Sequence, residues 1–142
     1  MNLTLLIKAI LYVWQLPQHL LGLLLVRLLK AKKHVWTHKG ANIGYWRFER
    51  ANRFSRFISG GSFGGYILLP QRNDYEKTVP HENGHSIQSK MLGPLYLVII
   101  GLPSATGNLL ARVSEKVRRN YYRLPWERWA DILGGVDRYA PA

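Results

Sequence analysis

Two long stretches of this chain carry no charge, and most of what lies between and after them is basic. The first runs from Ala9 to Val26, eighteen residues between Lys8 and Arg27, and closes on Arg27, Lys30, Lys32 and Lys33. That is just long enough for a helix to cross a hydrocarbon core. On a helix, Thr4, Lys8, Tyr12, Gln15, His19 and Gly22 follow steps of three and four and form a polar or small stripe along a Leu-rich cylinder. A span surrounded by lipid has no use for such a stripe. The helix therefore spans with the stripe turned to the rest of the domain, or lies in the headgroup plane with the stripe outward. Burial inside a soluble fold is a third option. Pro17 and the lack of a small-x-small site before the basic cluster argue against a cleaved signal.

The second uncharged stretch, Met91 to Ala111, contains Gly93-Pro94, Gly101, Pro103 and Gly107, which predict a bent or re-entrant pair of short helices rather than one straight rod. Between the two runs, aromatic residues alternate with arginines from residue 34 to 59. Periodicity there does not settle helix against strand, but Ala51, Phe54 and Ile58 would share a helical face, so a basic amphipathic helix is the favoured expectation. Phe57 to Ser59, Gly60-Gly61 and Phe63 to Leu69 read as a glycine-rich hairpin with Tyr66 to Leu69 as its second strand, followed by a polar loop from Gln71 to Lys77. Thr78 is the expected N-cap of a helix over Val79 to Leu92, with Pro80 in its first turn. Two further helices are expected over Asn108 to Arg119 and Pro125 to Leu133, closed by Gly134-Gly135. The fold class is mainly α with a small β-hairpin (α+β). It divides into a membrane-associated helix with its basic flank at 1–33 and a compact domain at 34–142.

Composition narrows the chemistry. The 142 residues suit a single modest core. Twenty Lys+Arg against eight Asp+Glu leave a charge of +12, so anionic partners are expected, an anionic lipid membrane first among them. Nucleic acid is not an expected partner, because no helix-turn-helix or aromatic ribonucleoprotein signature is present. With no cysteine, a metal must be held by His, Asp or Glu. His19, His34 and His38 have no partner at ligand spacing and read as surface or interface residues.

His81-Glu82-Asn83-Gly84-His85 is an H-E-x-x-H sequence on the expected helix. His81 and His85 lie one turn apart on one face, where both imidazoles reach a single metal ion, and Glu82 stands beside them to handle a metal-activated water. Downstream, Glu127-Arg128-Trp129-Ala130-Asp131 supplies Glu127 as a third ligand and Asp131, one turn on, as an acceptor for a ligand imidazole. Glu115 is a rival third ligand, in a basic stretch where a solvated ion pair is its simpler role.

H-E-x-x-H followed by E-x-x-A-D resembles the gluzincin metallopeptidases. It is similar to their membrane-embedded branch, which contains the prenyl-protein endopeptidases and the bacterial heat-shock membrane proteases, and to minimal single-domain gluzincins. The likeness covers residues 78–91 and 126–131, about a seventh of the chain. It implies a zincin-like helical core, Zn2+ held by His81, His85 and Glu127, Glu82 as general base, and a peptide or membrane-protein segment as substrate. Tyr122 is a candidate oxyanion donor alongside Tyr121 and Arg123, on sequence proximity alone. The strand Tyr66 to Leu69 could serve as an edge for an extended substrate.

In the membrane branch two full helices separate the motifs, whereas 91–111 is long enough for one crossing only. A crossing would put the histidines and Glu127 on opposite sides of a bilayer, so the run is expected to turn back. Basic residues flank it on both sides: Arg72, Lys77 and Lys90 before it, Arg112, Lys116, Arg118 and Arg119 after it. That bias puts both flanks on the cytoplasmic face, with a prokaryotic inner membrane as the expected setting. The expected function is a membrane-associated zinc metalloendopeptidase. The alternative is a non-catalytic, basic, membrane-associated interaction protein with a structural or absent metal site. Oligomeric state is left open.

Overall fold

The computed structural model describes residues 2–71 and 75–138. Arg72, counted above among the flanking cations, lies outside them. The fold is mainly helical with a four-stranded mixed sheet. Helix α1 (Leu3–Trp14) opens with Asn2 capping the Thr4 amide. It turns by 75° at Gln15 into α2 (Leu16–Leu28), whose Pro17 occupies the first turn. The uncharged run is thus a bent pair, and no single helix among the described residues is long and apolar enough to cross a membrane. The expected stripe divides at the bend. Gln15, His19 and Gly22 are buried against the protein, while Thr4 and Lys8 are exposed.

The expectation of a basic amphipathic helix over 34–59 is corrected. β1 (Lys32–His38) and β2 (Ala41–Phe48) form an antiparallel hairpin, and only α3 (Arg53–Phe57) is helical. Lys39 and Gly40 both have positive φ, as a two-residue turn matched to strand twist requires. The strands win because their side chains alternate. Ile43 and Tyr45 point into a core with Ile67, Leu69 and Val79, while Trp46 and Phe48 point to the opposite face, toward Leu25 of α2 and its C-cap Leu29.

β3 (Gly61–Phe63) and β4 (Tyr66–Pro70) make the expected hairpin, with its first arm two residues later than Ser59. The sheet order is β1-β2-β4-β3, with β4 parallel to β2. Tyr66 to Leu69 is therefore interior and cannot be an edge. The free edges are β1 and β3.

α4 (Thr78–Leu92) matches the expected helix, but Thr78 is its first residue rather than its cap. Lys77 holds the cap position with no side-chain hydrogen bond. A 3-10 turn (Gly93–Leu95) and a π-helical turn (Leu97–Gly101) then swing the chain by 119° into α5 (Leu102–Val113), so the second uncharged run does turn back. The helix expected over Asn108 to Arg119 is broken at Ser114, which caps α6 (Glu115–Asn120) through the Val117 amide. A 3-10 turn (Tyr121–Arg123) leads to α7 (Pro125–Gly134), ended by Gly135 in the left-handed conformation.

Candidate metal centre

α4 and α7 cross at backbone contact, and glycines make this possible. A Cβ on Gly84 would lie 1.9 Å from the Ala130 carbonyl oxygen, and one on Gly134 would lie 2.0 Å from that of Pro80. The absence of both side chains lets Glu127 reach the histidines of α4. Lys39, in the β1–β2 turn, donates to the Gly135 carbonyl at 2.8 Å and ties the end of α7 to the sheet.

His81, His85 and Glu127 are all buried, and each offers a ligand atom within 4.8 Å of the others. Glu127 Oε2 lies 3.1 Å from His81 Nε2 and 3.2 Å from His85 Nε2. Ligand atoms around a tetrahedral zinc ion with bonds near 2.1 Å are about 3.4 Å apart, so the three donors are already close to the spacing the ion needs.

The outer nitrogens fix this orientation. His81 Nδ1 is 2.7 Å from Asp131 Oδ1, and His85 Nδ1 is 2.7 Å from Gln88 Oε1. The Gln88 amide nitrogen donates to the Trp126 carbonyl, which sets the amide so that its oxygen faces His85. His85 Nδ1 must then donate, and in the neutral ring the Nε2 lone pair faces a carboxylate oxygen. Two acceptors at 3.2 Å are a poor contact unless a proton or a cation lies between them. Ser104 donates to the other oxygen, Glu127 Oε1. The donor set, its spacing and its outer partners fit a metal ion, and the group could hold one.

Burial pulls the His81 pKa down, but hydrogen bonds with Asp131 and Glu127 and the nearby Glu82 charge outweigh it and hold the group at about 9. Burial pushes Glu127 up, yet its hydrogen bonds with both histidines win and hold its carboxyl well below the usual range. Tyr121 is pushed far above the ordinary phenol range by burial, reinforced by the Glu127 charge.

Glu82 faces a cleft of about 380 Å³ beside the triad. One wall is the free β3 edge with the segment before it. The other is a helical stripe of α5, on which Ser104, Ala105, Asn108, Leu109 and Arg112 fall at steps of one, three and four. Tyr122 lines the same cleft with its ring edge-on to His81, 5.2 Å between centroids. Tyr121 lines it too and donates to the Ser104 carbonyl, whereas Arg123 is not in the lining. Glu115, the rival ligand, is exposed and paired with Arg119.

Sequence reasoning missed three groups. Gln88 is one, although its place three residues after His85 on the same helix was a usable signal. Arg138 is another: it grips both oxygens of Asp131, at 3.0 and 2.8 Å, and stacks over Tyr122 at 3.6 Å. Ser104 is the third, and nothing in its local sequence marks it. His19 was read as a surface or interface residue. It is buried, stacked on Tyr12 at 4.4 Å, and accepts from the Gly65 amide.

No protein-family model, curated protein or solved structure matches the chain.

Proposed function

We propose that the protein is a membrane-associated zinc metalloendopeptidase with a zincin-like core. The observation that carries this reading is the convergence of His81 Nε2, His85 Nε2 and Glu127 Oε2, with both outer nitrogens fixed and Glu82 facing an adjoining cleft. Bound zinc supplies a Lewis acid that acidifies a water and polarises a carbonyl.

The chain does the rest. Glu82 accepts the proton of the attacking water at its carboxylate and returns it to the leaving amine nitrogen as the peptide bond breaks. Asp131, held by Arg138, and Gln88 keep the two imidazoles oriented. The outer edge of β3, whose Ser62 carbonyl already accepts from the Tyr96 hydroxyl, is the edge this reading assigns to an extended peptide, in place of the interior strand Tyr66 to Leu69. Tyr122 is the phenol this reading assigns to the developing oxyanion.

Membrane association draws support from α1, whose Leu3, Leu5, Ile7, Ile10 and Val13 are exposed, and from Leu102 and Val113 on the outer face of α5. An amphipathic surface of this kind suits a helix pair lying in the interface, with the metal centre on the cytoplasmic side.

The test begins with zinc stoichiometry by elemental mass spectrometry on detergent-purified protein. Wild type should carry about one zinc per chain and Glu127→Ala far less. Glu82→Gln should keep the zinc and lose at least about a hundredfold in hydrolysis of an unfolded protein substrate. A folded wild type that takes up no zinc when offered it defeats the reading.

A further inference from the structure

A second cavity, of about 370 Å³, lies far from the metal triad in sequence and in lining. Its walls come from the end of α2 and the two residues after it (Leu28, Leu29, Lys30), from β1 (Lys32, His34), from β2 (Arg47, Phe48), and from the segment between β2 and α3, including Glu49, with Ser55 and Gln71. Lys30, Lys32 and Arg47 bring three basic side chains to it. Lys32 and Arg47 are directly opposite one another in the antiparallel ladder, so their side chains leave the same face of the hairpin. Like charges at paired positions destabilise a sheet. Among the described residues no carboxylate forms an ion pair with Lys30, Lys32 or Arg47, and Glu49, the acid at the pocket, pairs with none of them. His34 Nε2 is buried without a hydrogen-bond partner. Lys30 has a local role, since a cation there complements the end of α2. That role does not extend to Lys32, His34 or Arg47.

An anion in the pocket would relieve the repulsion between Lys32 and Arg47. The surroundings say which anion. Leu20, Leu24 and Leu28, at steps of four along α2, are 59%, 53% and 57% exposed, and the last of them lines the pocket. An apolar stripe therefore ends at a cluster of cations, which is the layout a phospholipid presents to a protein: acyl chain, then phosphate. We propose that this pocket binds the phosphate of an anionic lipid headgroup. The inference rests on the membrane-association half of the preceding reading and is independent of zinc.

Vesicle sedimentation tests it, because β1 supplies its own control. Lys32 lines the pocket, while Lys33, its neighbour, is absent from the lining and lies over the Trp46 ring at 5.5 Å, on the sheet face that packs against α2. Wild type should prefer phosphatidylglycerol-containing vesicles to pure phosphatidylcholine. Lys32→Gln and Arg47→Gln should each lower that partition by more than about fivefold, and Lys33→Gln by about twofold or less. Arg47→Lys should retain most of the binding, and zinc content should stay unchanged in all four variants, which separates this site from the metal centre and reports folding.

An equal loss in Lys33→Gln overturns the pocket in favour of a diffuse basic field. Inorganic phosphate that shifts the His34 imidazole signal by NMR, in a protein showing no headgroup preference, overturns the lipid assignment in favour of a soluble anion. A protein that fails to bind zinc but keeps the difference between Lys32 and Lys33 leaves this inference standing while the peptidase reading falls.

Discussion

Helices α1 and α4 invert the usual link between hydropathy and burial. α1 is the more apolar, yet it buries none of its residues. α4 is polar on average, yet it buries nine, His81, His85, Ser86, Gln88 and Ser89 among them. Ser86 bonds the Ser62 hydroxyl and the Gly64 carbonyl, Ser89 donates to Gln15, and Gln88 donates to the Trp126 carbonyl. Burial of polar groups is tolerable on those terms and costly otherwise. α1 has no such compensation for its exposed apolar side chains. The polar helix carries two of the three candidate metal ligands, and the apolar one presents exposed leucine, isoleucine and valine side chains.

The severest way to break the polar side is at the helix crossing. Gly84→Val places side-chain atoms where the Ala130 carbonyl now lies. It should destabilise the fold by about 3 kcal/mol or more and abolish zinc uptake, as measured by denaturant unfolding and metal analysis.

A milder change sharpens the role of the outer partners. Asp131→Ala and Gln88→Ala should each weaken zinc affinity by about 10–100-fold in competition with a chelator, while the triad itself stays intact.

Titration gives a smaller effect in the metal-free protein. The folded His81 pKa, about 9, stands above its ordinary 6.5, so the stability this group contributes is fully present below pH 6.5 and is lost as pH rises through 9. The melting temperature of the metal-free protein should therefore fall between pH 6.5 and 9.5. A flat profile would mean that His81 is not held protonated by Asp131 and Glu127.

The least effect on stability is expected on the apolar side. Ile7→Ser and Val13→Ser, at exposed positions of α1, should change unfolding free energy by no more than about 0.5 kcal/mol. The same pair should reduce vesicle binding, so that stability and membrane affinity come apart at α1.

The ligand helix was legible because its signals are local. The H-E-x-x-H spacing, Pro80 in the first turn and Gly93 at the end are all read within one element, and α4 spans Thr78–Leu92 as they require. Residues 34–59 were misread because aromatic and arginine residues alternate there in a way that fits both periods. What decides for strands is the partner, β4, which receives β2 on its far side. The edge was misassigned for a similar reason: a hairpin read in isolation has two edges, and the parallel pairing with β2 consumes the one on β4.

By itself the sequence determined which residues could be ligands, that the 91–111 run would bend, and that the chain carries a net charge of +12, because spacing, Gly and Pro geometry and net charge are properties of the chain. Only the tertiary structure decided that Glu127 meets both histidines, that Arg138, Gln88 and Ser104 hold them, and that Lys32 and Arg47 share a pocket. Those are distances between elements far apart in the chain, set by the close approach of α4 and α7 and by strand register, and no local pattern encodes them.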